Sequence, residues 1–353
     1  MGLKIAVVVV MLLQVVPIMV WVERRGSALL QNRLGPNRIG PLGLFQSLVD
    51  AVKMMTKEDR ATGHVNPFYY RLAPLVSLLP AFLTFAAIPF ASHITMGDKT
   101  VQFQIADLNV GLLYILSVTS LSVYGIIMGS WASNNKYSML GGLRSTAQMI
   151  SYELSMGLAI IGIVMIFGSI QMGDIATAQG ATLIQLGPIA IPKWGVFLQP
   201  LGFIIFLICT YAETNRLPFD LPEGESEIVA GYHLEYYSMM FGMFMMAEYI
   251  NMTVASAFVT TLYFGGWQLL PGMTFLLTHS GLEGMNFEWA RVALEAISFV
   301  LKVAFFMWLF VWVRWTIPRF RYDQVMHLGW KVLLPLSLLN ILITGFLIYL
   351  KVL

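Results

Sequence analysis

Apolar positions in this chain fall in long unbroken blocks. Eight runs, at 3–22, 72–92, 108–131, 144–168, 194–212, 239–263, 292–316 and 330–352, each approach or exceed the length a helix needs to cross a bilayer, about 20 residues. None shows the two-residue alternation of barrel strands. The pattern predicts an all-α polytopic membrane protein, one helical domain over residues 1–353 with eight transmembrane helices. The first run, MGLKIAVVVVMLLQVVPIMVWV, lacks a small-residue cleavage site and reads as a retained span. The stretch LFQSLVDAVKMMTKED has a different period. Phe45, Leu48, Val49, Val52 and Met55 share one helical face, opposite Gln46, Asp50, Lys53 and Lys57. Too short and charged to span, it predicts an amphipathic helix at the interface, in the first cytoplasmic loop.

Composition agrees with a membrane protein. Hydrophobic residues make up 58% and charged residues 11%, against about 25% charged in soluble domains. Cys209 is the single cysteine, which rules out an internal disulfide, a cysteine-held iron–sulfur cluster on this chain and a cysteine zinc site. Neither a G-x-G-x-x-G nor a G-x-x-x-x-G-K-[ST] stretch is present, so no nucleotide site and no nucleic-acid partner is expected. The net charge of +2 says little as a sum, but its distribution orients the chain. Fifteen of the twenty-one Lys and Arg residues, among them Arg24, Arg25, Arg33, Lys136, Arg216, Arg314 and Arg319, lie in the odd-numbered loops. The positive-inside rule puts those loops in the cytoplasm and both termini outside.

Acids concentrate in one place. Residues 210–250 carry Glu213, Asp220, Glu223, Glu225, Glu227, Glu235 and Glu248, seven of the nineteen acids in the chain. Glu153 lies about nine residues, roughly 14 Å, inside the fourth run, and Glu248 lies at similar depth in the sixth. Ionisable groups inside spans are functional candidates by default, and burial or a like charge raises a carboxyl's proton affinity. Glu213 sits at the mouth of the fifth run. Pro222 suits a helix's first turn, where Glu223, Glu225 and Glu227 complement its positive end, and Glu223 and Glu227 repel across one turn. Plainer readings stand beside these: packing carboxyls for Glu153 and Glu248, a solvated helix start for the loop acids, a capping role for Asp220, membrane anchors for Arg24, Arg25 and Arg33. Lys302, inside the seventh run, calls for an acidic partner such as Glu295 or a wet cavity. His233 reads as a packed loop histidine, and MMFGMFMM as core packing or a pliable apolar wall.

Four stretches carry a family resemblance: ERR with GPNRIGPLGLFQSLVDAVKMMTKED, GSWASNNKYSMLGGLRSTAQMISYE, ETNRLPFDLPEGESEIVAGYHLEYYSMMFGMFMMAEYINM and PRFRYDQVMHLGWK. In this order they resemble the H subunit (subunit 1 in mitochondria) of the proton-pumping NADH–quinone oxidoreductases, respiratory complex I. The resemblance runs from about Val22 to the end. It implies a membrane component that joins the hydrophilic arm to antiporter-like membrane subunits and forms much of the quinone chamber. Arg24, Arg33, Asp50 and Phe241 match positions near that chamber. Glu213, Glu223, Glu225 and Glu227 match the acidic funnel leading inward, and Glu153 and Glu248 its inner carboxylates. Quinone is then the substrate, with no cofactor on this chain and FMN and iron–sulfur clusters on partner subunits. The implied location is the bacterial plasma (inner) membrane, with both termini periplasmic. Two rival readings are the membrane anchor of a related energy-converting hydrogenase, and a stand-alone ion or proton transporter. The second predicts inverted repeats and broken helices.

Overall fold

The computed structural model describes residues 2–59, 61–96, 99–186, 189–221, 229–271, 273 and 285–351. The first apolar run folds as helix α1 (Gly2–Leu30), which continues two turns past the run. Glu23, Arg24 and Arg25 therefore sit on a helix, not in a loop. Its buried positions, Leu12, Met19, Glu23 and Ser27, recur at helical spacing, so the chain's first acid faces the protein. Helix α2 (Gln46–Thr56) follows, with Phe45, Leu48, Val52 and Met55 exposed. Helix α3 (Pro67–Thr84) tightens into a 3-10 turn, Phe85–Ala87. The second run was expected to span to residue 92; instead Pro89 follows the last turn and a strand begins at Ala91.

Two small antiparallel hairpins depart from the all-α expectation. Strands β1 (Ala91–Met96) and β2 (Lys99–Phe103) form one, and β3 (Thr182–Leu186) with β4 (Ile189–Pro192) the other. Both lie in connections between helices, where two strands satisfy each other's backbone groups without a spanning helix. Helix still accounts for 73% and strand for 4%.

Helices α4 (Gly111–Ala132) and α5 (Lys136–Phe167) match the third and fourth runs, and α5 starts two turns early behind an Asn135 cap that accepts from Tyr137 N. Gly125 of α4 meets α3 so closely that a Cβ there would lie 2.1 Å from Ser77 Oγ and 2.9 Å from Ala73 O. Small residues of this kind let membrane helices touch backbone to backbone. After short α6 (Met172–Ala178), the fifth run is interrupted at Gln199: one turn, α7 (Gly195–Leu198), precedes α8 (Pro200–Glu213). Helix α9 (Ser238–Tyr263) matches the sixth run, α10 (Met285–Thr316) the seventh, and α11 (Tyr322–His327), a π turn (Leu328–Leu333) and α12 (Leu334–Tyr349) the eighth. The wide turn keeps the PRFRYDQVMHLGWK stretch against α5: Tyr152 Oη donates to Val325 O at 2.9 Å and Trp330 Nε1 to Ser151 Oγ at 3.0 Å.

Among the described residues, six helices are long and apolar enough to cross a membrane: Gly2–Leu30, Pro67–Ala87, Gly111–Ala132, Lys136–Phe167, Met285–Thr316 and Tyr322–Tyr349. Helix α9 is long but more polar, and it is the centre of the bundle, buried at every position from Met252 to Tyr263. Its hydroxyls cost little there, because Thr253, Ser256, Thr260 and Thr261 each bond back to the carbonyl four residues earlier. Lys302 of α10 closes this helix's far end. Its ammonium donates to the carbonyls of Phe264, Gly266 and Gln268 at 2.9, 3.0 and 2.6 Å, and lies 4.9 Å from the Trp194 ring centroid. The expected partner Glu295 is engaged elsewhere, accepting from Ser92 N at 2.9 Å and 3.8 Å from Arg291. Backbone carbonyls and a ring thus do for the lysine what an acid was expected to do.

Candidate functional site

The site begins where α8 ends. Residues 214–221 form a tight loop, held from below by Gln148 of α5, whose amide donates to Ala212 O at 2.7 Å and Phe219 O at 2.9 Å. From the side, Arg319 pairs with Asp220 at 3.0 Å and Phe320 N donates to Pro218 O. Asp220 is therefore an ion-pair partner of the seventh-to-eighth connection, and the helix start it was expected to cap lies outside the described residues. Arg321, by contrast, pairs with Asp323 on an exposed surface.

Arg216 points from this loop into the bundle and is 8% exposed. Its guanidinium lies between two carboxylates: Nη1 is 3.8 Å from Glu23 Oε2 on α1, and Nη2 is 3.7 Å from Glu248 Oε2 on α9. The Tyr249 ring lies beneath it, 4.4 Å from the guanidinium carbon. Glu23 is held further by Arg314 of α10 and by the Tyr249 hydroxyl, which donates at 2.6 Å. Tyr232 donates to Glu248 at 3.3 Å. Five segments of the chain meet at this cluster: α1, the 214–221 loop, the Gly231–His233 turn, α9 and α10. Charges this far from water need mutual pairing to stay ionised.

Glu248 also walls a cavity of about 20 Å³ together with Glu213, Ser77, Ser122, Asn215 and Tyr232. A second cavity of about 30 Å³ adjoins it, with Glu213, Ser122, Thr214 and Asn251 as shared walls and Thr119 and Thr210 added. Each exceeds the roughly 10–15 Å³ a single water needs. Glu213 thus lies between the two, beside Thr119 of α4 and close enough to Glu153 for their charges to repel. Ser120, next along α4, donates to Glu153. Glu153 in turn opens onto an apolar cleft of about 680 Å³ between α4, α5 and α12, lined by Leu112, Leu116, Leu154, Leu158 and Leu334. Glu213 thus neighbours both acids that the sequence places at similar depth, Glu248 across the shared cavity and Glu153 as a nearby charge.

The other expected residues divide. Arg24 pairs with Asp50 at 2.7 Å, and Gln46 supports Asp50 at 3.0 Å, which ties α1 to α2. Ser238 donates to Met54 O and Lys57 O at 3.0 and 2.9 Å, tying α2 to the start of α9. Phe241 lies one turn further on, its ring 5.5 Å from that of His233. Arg33 makes a local bond to Gln31 at 2.7 Å. Glu223, Glu225, Glu227 and Pro222 lie outside the described residues. His233 is buried among the rings of Tyr232, Phe241 and Phe244, and burial pushes its imidazole down to about 3, so it is neutral. Glu235 joins the surface connections, accepting from Thr62 and Asn135 at 3.1 and 2.9 Å, with His64 at 3.5 Å.

Sequence reasoning missed Glu23 as a site residue and used Arg216 and Arg314 only to orient the chain. The signal was present. Leu12, Met19, Glu23 and Ser27 continue one helical stripe across the end of the apolar run.

Residues 3–345 match the NADH dehydrogenase family. The chain belongs to this family. It is 44% identical to the H subunit of the NADH-quinone oxidoreductase of Bdellovibrio bacteriovorus, over 99% of this chain and 96% of the relative. It is 46% identical to the second H subunit of the Geobacter sulfurreducens enzyme (98% and 95% covered) and 47% to the H subunit of the Salinibacter ruber enzyme (92% and 88%). Within this NADH dehydrogenase family chain, Glu248 of α9 belongs both to the cluster with Glu23 and Arg216 and to the cavity wall it shares with Glu213.

Proposed function

We propose that this chain works as the membrane-embedded H subunit of a proton-translocating NADH:quinone oxidoreductase, where it forms much of the quinone chamber and couples quinone reduction to proton movement. The observation that carries the coupling is that Glu248 and Glu213 wall one water-sized cavity, while Glu153, held by the Ser120 hydroxyl, is the charged neighbour of Glu213. Carboxyls spaced in this way exchange protons through water. Eight spans follow if α8, extended by α7, and the polar central helix α9 cross beside the six apolar helices. The exposed apolar face of α2 then lies at the cytoplasmic interface, with both termini periplasmic and the whole chain in a bacterial plasma membrane.

On this reading quinone enters between α1, α2 and α9, past the Arg24–Asp50 pair, with Arg33 and Phe241 bordering the chamber. Glu223, Glu225 and Glu227 complete the acidic funnel. The chain holds no redox centre of its own. Partner subunits of the hydrophilic arm supply FMN and iron–sulfur clusters, and antiporter-like membrane subunits receive the protonation change beyond Glu153. Reduction of the quinone draws protons and leaves negative charge in the chamber, which shifts the proton affinity of Glu248 and Glu213.

The test replaces Glu213 or Glu248 by Gln in the assembled complex. NADH oxidation by quinone should be lost while ferricyanide reduction by the peripheral arm persists. Full quinone turnover in both variants would refute the reading.

A further inference from the structure

We infer that the side-chain amide of Asn251 holds the water that carries protons between Glu213 and Glu248; the inference rests on the coupling role proposed above for these two acids. Asn251 follows Glu248 by three residues on α9, so the two side chains share a helix face. It is half-buried and lies in the walls of both small cavities, as does Glu213. The other polar residues common to both walls are Ser122 and Thr214, and their hydroxyl protons are already engaged. Ser122 donates to Thr119 O at 2.7 Å and Thr214 to Thr210 O at 3.0 Å. The Asn251 amide bonds to no protein group among the described residues. Ser77, on α3 in the wall of the smaller cavity, is 4% exposed and its hydroxyl is likewise unbonded among them. Polar groups in a protein interior find hydrogen-bond partners, and water is the ligand that cavities of about 20 and 30 Å³ admit.

The chemistry follows from what an amide offers, two N–H donors and a carbonyl oxygen. An N–H given to a water's oxygen leaves both protons of that water to point at acceptors. The acids on these walls, Glu213 and Glu248, are the strongest acceptors there. In the transfer, the O–H bond of a protonated Glu213 breaks as its proton joins the water. One of the water's own O–H bonds breaks as its proton joins the Glu248 carboxylate. Water is regenerated, Glu213 is left anionic and Glu248 neutral, and the return path runs through the same atoms. Asn251 gives up no proton itself. It is a positioning residue, acting through the water it orients.

The experiment compares Asn251→Leu and Asn251→Ala in membranes carrying the full complex, beside Glu213→Gln. Leucine keeps the volume and removes both donor and acceptor. Alanine leaves space in which a second water can stand where the amide was. Packing alone ranks leucine above alanine, because truncation opens a cavity; a water path ranks alanine above leucine. Asn251→Leu should lower the quinone-dependent kcat about tenfold or more, the scale of a misplaced reacting group. It should leave the quinone KM within twofold, leave ferricyanide reduction unchanged and raise the solvent deuterium isotope effect on kcat. Asn251→Ala should fall between wild type and Asn251→Leu in both kcat and isotope effect. Wild-type kcat in Asn251→Leu, a leucine variant as fast as the alanine one, or a loss with the wild-type isotope effect would each overturn the inference. Should Asn251→Leu fail to assemble, Asn251→Ala decides: a lowered kcat with a raised isotope effect supports the water site, and wild-type values overturn it. Full turnover in Glu213→Gln would instead remove the coupling role itself. Loss in Glu213→Gln with a wild-type Asn251→Leu removes only the role of the amide.

Discussion

Gln148→Leu isolates the positioning of the Arg216 loop from the chemistry of its acids. Gln148 is fully buried and fastens the loop through two bonds, to Asn215 Oδ1 at 3.4 Å and Phe219 O at 2.9 Å, beside a third to Ala212 O at the end of α8 at 2.7 Å. A net intramolecular hydrogen bond contributes about 1 kcal/mol, so the two hold the closed loop by about 2 kcal/mol at most. Part of this is offset, because Gln148 Oε1 has no partner among the described residues and regains water when the loop opens. The remaining 1–2 kcal/mol corresponds to about a five- to thirtyfold change in the open population, at 1.4 kcal/mol per tenfold. Leucine fills similar volume but leaves the Ala212 and Phe219 carbonyls without this donor, so the bundle should also melt a few degrees lower. Hydrogen exchange of the 214–221 amides in the purified complex reads the opening directly and should accelerate by that factor. Quinone turnover should fall with it while ferricyanide reduction stays constant. Exchange within twofold of wild type would refute the reasoning that this amide sets the loop.

Lys302→Met should lower the melting temperature of the purified complex by several degrees. The carbonyls of Phe264 and Gly266 lose their ammonium donor, at about 1–3 kcal/mol each, whereas Gln268 O keeps the Ser298 hydroxyl at 2.8 Å. His233 gives a pH signature. Its folded value, about 3, lies below the ordinary 6.5, so its contribution to stability is intact above pH 6.5 and is lost as pH falls from there toward 3. Relative to wild type, His233→Gln should gain about 2 kcal/mol between pH 6.5 and 5, read by denaturant melts at both pH values. Arg24→Gln breaks a pair with side chains 48% and 24% exposed, worth little to stability. It should raise the quinone KM with no loss of assembled complex.

The helical runs were legible because a bilayer leaves helices or closed barrels as the only ways to satisfy a crossing backbone. What the pattern hid were the places where protein, not lipid, is the neighbour. The first apolar run ends at Val22, yet α1 continues because Glu23 and Arg24 find partners on α8's loop, α9, α10 and α2. Ala91 looked like the end of an apolar helix and is the start of a strand. Gln199 and Pro200 break the fifth run, and Gln199 bonds to Thr344 and Asn340 across the bundle. Glu153, Glu213 and Glu248 were visible as acids in apolar company. Their order, with Glu213 central, was not, because it depends on which helices α9 packs against. Lys302 shows the same limit, since carbonyls are present in every sequence and only the fold says which three converge.

The central claim is that Glu213 and Glu248 change protonation when quinone is reduced. Redox-difference infrared spectra of the quinone-bound complex read carboxylic C=O stretches directly. Wild type should show a carboxyl band appearing on reduction, and Glu213→Gln should lack it with the flavin and cluster signals preserved. Superimposable carboxyl bands in wild type, Glu213→Gln and Glu248→Gln would contradict the account.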